Sequence, residues 1–364
     1  MKAKENMTKI EVIREVNDKF ILAWDILWRD SYNPHLFNSS KWFLSYVNSF
    51  NPTDYHIVVL SEGEKIVAIL PLIKDKHYAI NVLRNSGGKY LDRSSLLTEE
   101  NDTGVITDIF KEISKYQNLY LAEVDRETSE VFRNKKNILV LPSSVNPYLT
   151  LDGESCFRFL SKKNESKILN SFKKYKRFIK IRHIVKPTLR DAETIFEIDK
   201  YSSKAQKGKE SFSRPEAKIL IKTLVKRAAN FIVIDILYFN KKPVAYTFGT
   251  AFRKIYHGMY TAYRKEYKNI IPGKMLIYML IQKLKEDGYK IIDFGRGGGG
   301  LKSDFTPNKK IQYDIYYSPS PVVRLWWYSL YLLKNFVLNR NRFYQFLCSS
   351  KRLLNITRYR ILEI

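Results

Sequence analysis

Apolar positions in this chain alternate between helical spacing and strand-like runs, and the alternation happens twice in the same order. Residues 21–29 place Trp24, Leu27 and Trp28 at helical spacing, and Ser39-Ser40 can cap a helix over 41–50 that turns Trp42, Phe43, Tyr46 and Val47 inward. The period then changes. HIVVL, the turn Ser61-Glu62-Gly63-Glu64 and IVAILPLI predict an antiparallel hairpin. A helix over 104–115 and a strand at NLYLAEV follow, and 134–147 reads as strand ends and a linker. From residue 150 the scheme returns with stronger signals: a basic helix over 162–180, amphipathic helices over 191–201 and 214–229, and a meander of FIVIDILYF, VAYTFGTAF and IYHGMYTAY. A helix opening at Pro-Gly-Lys, the strand IIDF and a last strand IQYDIYY complete it. The repeat predicts two related α/β (α+β) domains, 1–149 and 150–319, with mixed, mostly antiparallel sheets flanked by helices, and a basic amphipathic tail over 320–364. The first copy lacks Pro-Gly-Lys before its helix and is expected to be degenerate.

Composition supports two cores and narrows the surroundings. Of 364 residues, 45% are apolar and 14% aromatic, enough to bury two domains. Two cysteines, Cys156 and Cys348, lie far apart with no C-x-x-C spacing, so neither a disulfide framework nor a zinc site is expected. The opening MKAKENMTKIEVIREVNDKF lacks the apolar segment of a secretory signal, and a cytoplasmic protein is expected. The formal charge is +26, which fits anionic partners or a lysine-rich coding bias equally well. Two stretches exceed that background: 161–190 has eleven Lys or Arg against Glu165, and 320–364 has eight against Glu363.

Chemistry concentrates in 256–305. A Pro-Gly-Lys turn entering a helix aims unpaired amides and the positive end of the helix dipole at one spot, so Pro272, Gly273, Lys274 and Met275 are candidates to hold a diphosphate; the alternative is an ordinary strand-to-helix turn. Met275, Leu276, Met279, Leu280 and Leu284 make that helix's buried stripe. Asp293 ends an apolar strand, where it could serve as a general base or, structurally, pair with Arg296 or cap the glycine loop. Lys302 follows the glycine run and can reach a phosphate or a developing oxyanion. Gly295, Gly297 and Gly300 formally spell G-x-G-x-x-G, but Pro307 and turn residues stand where a dinucleotide-binding helix would continue, so the glycines are read as allowing close backbone approach or a flap. The motifs of nucleoside triphosphatases, of G-x-S-x-G hydrolases and of histidine metal sites are absent from the sequence, and no metal is expected. In the tail, VVRLWWYSLYLLKNFVL is too short to cross a bilayer; it fits an in-plane segment on an anionic membrane face or a helix docked on the first domain.

Taken in order, these blocks resemble the GNAT-type acyltransferases related to the FemAB peptidyltransferases, including the group associated with cellulose and exopolysaccharide synthesis. LSKKNESKILNSFKKYKRF is similar to the block that opens that family's second domain. Ser202-Ser203-Lys204 with Gly208 resembles its Ser-Trp-Lys…Gly element, Pro272 to Leu276 its Pro-Gly-x-x-Leu turn, and Gly298 to Phe305 its G-x-x-[YF]-K-x-x-[FW] block. Ser203 and Leu301 depart from the pattern, where tryptophan and an aromatic are usual. The resemblance implies two tandem GNAT-like domains that move an acyl group from a thioester or aminoacyl ester to an amine. It points to Lys302 as catalytic, and Ser203 and Lys204 of the Ser-Trp-Lys-like element, with Arg296 beside the strand end, are the candidate substrate-binding residues.

Three functions fit these features. The first is N-acylation of an amino sugar or related amine in cell-surface polysaccharide assembly, with acyl-coenzyme A, acetyl-coenzyme A foremost, as co-substrate. The second is aminoacyl transfer from tRNA to a cell-wall precursor, against which stands the lack of a long helical-hairpin insertion. The third is a non-enzymatic basic binding module. No DNA partner is expected. The expected place of work is the cytoplasm, with the tail offering contact to the inner face of the plasma membrane.

Overall fold

A computed structural model of the chain describes residues 8–339 except 101, 116–117, 152–156, 209–211 and 213; Cys156, Cys348 and the tail beyond Asn339 lie outside the described residues. The first half runs β1 (Thr8–Ile13), α1 (Asp18–Asp30), α2 (Ser40–Phe50), β2 (Tyr55–Glu62), β3 (Lys65–His77), β4 (Ile80–Asn85), β5 (Leu97–Thr98), α3 (Thr103–Ile113), β6 (Leu119–Val124), α4 (Arg126–Phe132) and β7 (Ile138–Thr150). The second runs α5 (Lys162–Tyr175), β8 (Ile179–Val185), α6 (Leu189–Lys200), α7 (Pro215–Arg227), β9 (Ile232–Phe239), β10 (Lys242–Phe252), β11 (Ile255–Tyr263), α8 (Pro272–Glu286), β12 (Ile291–Asp293), β13 (Lys309–Tyr317) and α9 (Pro321–Asn339).

Local chemistry sets the helix starts. Asn17 accepts from the Phe20 amide to cap α1, Ser39 accepts from the Trp42 amide to cap α2, and Pro215 opens α7 at a position that needs no N–H. The strands join one sheet in the order β1-β2-β3-β4-β6-β13-β7-β12-β11-β10-β9-β8, with β5 pairing β3. Only β4/β6 and β11/β12 are parallel among the described strands. Each parallel pair is bridged by a helix, α3 or α8, so meander, helix and parallel strand recur in both halves. The last strand, β13, lies between β6 and β7, and β7 reaches on to β12, which ties the two halves into one sheet.

Helices cover both faces. Trp24, Trp42 and Phe43 share one core cluster with Phe196, Leu220, Leu224 and Tyr246, so α1, α2, α6 and α7 cover the same face across the halves. On the opposite face α3 packs Ile106, Ile109 and Ile113 against Val58, Leu60 and Leu119, and α8 packs Leu276, Leu280 and Leu284 against Val233, Leu237 and Ile292. Burial on both faces explains the apolar run of β2 and that of β9, which the buried Asp235 interrupts.

Several elements depart from the sequence reading. The stretch read as strand ends and a linker is the 13-residue strand β7, whose polar Ser143 and Ser144 find a buried partner in Glu123. The basic helix stops at Tyr175, and Ile179–Val185 is an edge strand, β8, whose alternating Ile and basic residues suit one wet face. The first hairpin is the start of a meander completed by β4.

Candidate active site

The parallel pair β11/β12 is short. It pairs Ile255 with Ile291, Tyr256 with Ile292 and His257 with Asp293, and beyond that point the strands diverge. At the divergence β11 carries a bulge: pairing with β10 passes from Gly249–Gly258 to Phe248–Tyr260, leaving Met259 as the extra, unpaired residue. The gap is a cavity of about 280 Å³, walled by Gly258 to Thr261 and by Ile292 and Phe294, with Ile277, Leu280 and Ile281 of α8 at its apolar side. The corresponding place in the first half, between β4 and β6 over α3, is a space of only about 30 Å³, closed by Ile109, Phe110, Ile113 and Leu121.

Lys302 lines the larger cavity together with Lys204 and Arg296, and no carboxylate among the described residues lines it. The Lys302 ammonium donates to the carbonyls of Gly295 (3.0 Å) and Arg296 (2.7 Å). Burial pushes its pKa down to about 8; the carboxylate of Asp92 works against that shift, and the charges of Lys204 and Arg296 add to it. Lys204 is also lowered by burial, and its ammonium donates to the Thr261 carbonyl at 2.8 Å. Arg296 spans the halves, donating to the Lys89 carbonyl (2.7 Å) and to Glu123 Oε1 (3.3 Å). Ser203 lies beside Lys204 in the turn after α6, half-buried, and does not line the cavity.

At the start of α8, Ile271 takes a left-handed conformation and Pro272 follows as the first helical residue. The Met275 amide is spent on the Ile271 carbonyl, Pro272 has none, and the amides of Gly273 and Lys274 have no acceptor among the described residues. The Lys274 side chain turns aside to Asp304 (2.7 Å) and Asn164 (2.9 Å), and Asn164 also donates to Asp304. These bonds fasten the turn that carries Lys302 to the head of α8 and to α5. Leu301 touches both places: its Cδ2 would lie 3.6 Å from a Cβ at Gly273, and it lines the cavity. The helix start, the cavity and Lys302 are therefore contiguous.

Asp293 plays a different part from the one its strand-end position suggested. One carboxylate oxygen accepts from the Gly295 amide (2.8 Å), which is the expected cap on the glycine loop, and the other is held by Arg93. The ion-pair partner is thus Arg93, from the first half, and not Arg296. Sequence reasoning missed Arg93 together with Asp92, Glu123 and His257. Asp92 Oδ2 stands 3.5 Å from His257 Nε2, both atoms are buried, and neither has a hydrogen-bond partner among the described residues. Gly295, at φ +69°, brings these groups together: a Cβ there would sit 2.2 Å from the Gly258 carbonyl oxygen and 2.7 Å from Asp92 Oδ2.

Comparison with known proteins finds relatives of this fold. The acetyltransferase (GNAT) domain family matches residues 162–303, which takes in α5 through the Lys302 turn. Among solved structures, FemX superposes with a TM-score of 0.60 at 10% identity, covering 86% of this chain and 99% of that one. L-PGS from Bacillus licheniformis superposes at 0.58 with 14% identity, covering 86% and 96%. The C-terminal domain of a putative lysylphosphatidylglycerol synthetase from Agrobacterium fabrum gives 0.54 at 10% identity, covering 87% and 95%. No curated protein matches.

Proposed function

Since residues 162–303 match the acetyltransferase (GNAT) domain family and the chain shares its fold with FemX, we propose that it is a GNAT-type acyltransferase that transfers the acyl group of an acyl-coenzyme A, acetyl-coenzyme A foremost, to the amine of an amino sugar or related acceptor used in cell-surface polysaccharide. The observation that carries the reading is the cavity opened between β11 and β12 beside Lys302. In this reading the Gly273 and Lys274 amides and the dipole of α8 receive the donor's diphosphate. The unpaired backbone at Met259 is available to the amide-bearing arm, and the thioester arrives at Lys302.

The chemistry assigned to the site is nucleophilic acyl substitution. The acceptor nitrogen adds to the thioester carbonyl, the tetrahedral oxyanion collapses, the carbon–sulfur bond breaks, and the proton lost by nitrogen goes to the leaving thiolate. Lys302 already gives two of its three N–H groups to carbonyls, so its protonated form keeps one to donate to the oxyanion. Asp293, with both oxygens engaged, positions the loop and remains the lesser candidate for a proton carrier. Lys204 and Arg296 face the acceptor, with Ser203 beside them. The narrow space between β4 and β6 supports reading residues 1–149 as a degenerate copy and 150–319 as the working domain. Work takes place in the cytoplasm, with the tail from 320 placed against the inner face of the plasma membrane. Among the described residues no helix is long and apolar enough to cross a membrane.

Isothermal titration with acetyl-coenzyme A and longer acyl-coenzymes A tests the donor. Binding, followed by thiol release when amino sugars or their nucleotide-linked forms are added, is the expected result. Folded protein that gives no heat with any of these donors overturns it.

A second reading, aminoacyl transfer from tRNA to a cell-wall precursor, draws on one specific observation. The exposed lysines of α5, including Lys162, Lys163 and Lys167, flank the start of α8, to which α5 is joined through Asn164 and through Ser171, whose hydroxyl donates to the Ile270 carbonyl. An RNA backbone would follow such a strip, and a salt-sensitive complex with aminoacyl-tRNA would favour it. Absence of that complex at low salt removes this reading and leaves the first intact.

A further inference from the structure

Helix α9 has two apolar faces, and the fold uses one. Trp327 and Leu330 are buried, Val323 and Tyr331 pack against the same core, and the Trp327 ring lies 5.3 Å from that of Tyr316 in β13. Val322, Leu325, Trp326, Leu332 and Leu333 stand at helical spacing on the other side, with 74, 65, 49, 50 and 54% of their surface in solvent. Ser329 interrupts this stripe, which is roughly 16 Å long at the rise of an α-helix. Surfaces of soluble proteins seldom leave an apolar strip of this length uncovered.

Charge indicates what covers it. Within 320–364 the sequence has Arg324, Lys334, Arg340, Arg342, Lys351, Arg352, Arg358 and Arg360 against the single acid Glu363. An apolar ridge bearing a tryptophan, in a segment this cationic, matches a bilayer interface rich in anionic lipid: hydrocarbon takes the ridge and lipid phosphates take the cations. We propose that α9 lies in the plane of an anionic membrane, its outer stripe inserted and its inner face fixed to β13 and β7, so that the protein docks as a rigid body. This gives a defined face to the membrane placement proposed above and rests on it.

Sedimentation of the full chain with vesicles of phosphatidylcholine alone, and with phosphatidylglycerol added, tests the proposal. The expected result is binding to the phosphatidylglycerol vesicles with a blue shift of tryptophan fluorescence, and a loss of affinity of about tenfold or more in Trp326→Ser/Leu333→Ser, since two large apolar groups no longer enter the bilayer. Leu333→Ser alone is the milder variant if the double one folds poorly. Circular dichroism and acetyl-coenzyme A titration without vesicles report folding and the donor site separately, so failure of docking is distinguishable from failure of the acyltransferase reading. Three outcomes overturn the proposal. One is no sedimentation of the wild-type chain, and another is equal binding by wild type and variants. The third is a light-scattering mass of a dimer that the variants reduce to a monomer, which would give the stripe to a second copy.

Discussion

Arg93 and Asp293 stand two hundred residues apart in sequence, and the guanidinium of one holds the carboxylate of the other. The Asp293 side chain is only 3% exposed and that of Arg93 14%, so the pair is shielded from water. Through the Gly295 amide on the other oxygen of Asp293 and the Gly295 carbonyl under Lys302, this contact connects the first half of the chain to the lysine at the cavity.

Removing one partner therefore strands a buried charge. Arg93→Met is expected to destabilise the fold by about 3–5 kcal/mol, as loss of one member of a buried pair commonly does. Asp293→Asn alone should cost less, because the amide can still meet Gly295, and Arg93→Met/Asp293→Asn should recover much of the Arg93→Met loss. Urea unfolding of the three variants measures the cycle; additive losses would show that the contact carries no coupling.

Lys302→Ala is expected to lower the turnover number by about 10²–10³ while leaving acetyl-coenzyme A affinity nearly unchanged, the pattern of a donor that acts on the oxyanion alone. The charged form acts, and the lysine titrates near 8, so the Lys302-dependent rate should be present below pH 8 and fall as pH rises through it. Lys302→Arg should move that descending limb to higher pH even if the rate itself drops. A wild-type profile that climbs through pH 8 because of Lys302 would assign it instead to proton removal from the acceptor.

How far the sequence reached depended on the range of the interaction. The meander, α8 and the glycine run are local signals, because apolar periodicity and turn residues act within a few positions of themselves, and α8 does begin at Pro272 as its turn requires. Lys302, Lys204 and Arg296, candidates from the sequence, share one cavity. Asp92, Arg93 and Glu123 were not legible, since their meaning comes from partners in β11, β12 and the glycine loop that only the continuous sheet brings near. His257 had no signal either: in a strand of alternating residues it looks like any inward polar position. The edge strand β8 was hidden by lysines, which edge strands tolerate and helices also favour.

The glycines of 295–300 differ in what they require. Gly295→Ala is expected to be severely destabilising, by several kcal/mol, because the new methyl meets the Gly258 carbonyl and Asp92 and the backbone is left-handed. Gly299→Ala has open space and an ordinary φ, and should change stability by within about 0.5 kcal/mol. Thermal melts of the two variants suffice. Similar losses in both would mean that the run acts as a flexible whole and not through one close approach.

Acid should weaken the fold through its buried imidazoles. Burial is the main cause that lowers His257 to about 4; the Asp92 carboxylate at its Nε2 opposes the shift, and Arg93 and Lys302 reinforce it. His77 is pushed by burial to about 3 and His35 is also lowered, again chiefly by burial. In each case the unfolded chain takes up the proton first. The native state then binds fewer protons than the unfolded one between the ordinary histidine pKa and the lowered value, so stability is full above about pH 6.5 and is lost as pH falls toward 4, by up to about 1.4 kcal/mol per pH unit for each histidine. His183 has the opposite sign, because its hydrogen bond to Asp235 raises its pKa and its contribution fades as pH rises. His257→Asn should remove one proton's share of the acid slope. Its stability deficit against wild type is therefore expected to shrink steadily from pH 7 to pH 4.5 in urea titrations, and parallel curves for the two proteins would show that His257 takes up its proton as readily in the native state as in the unfolded one.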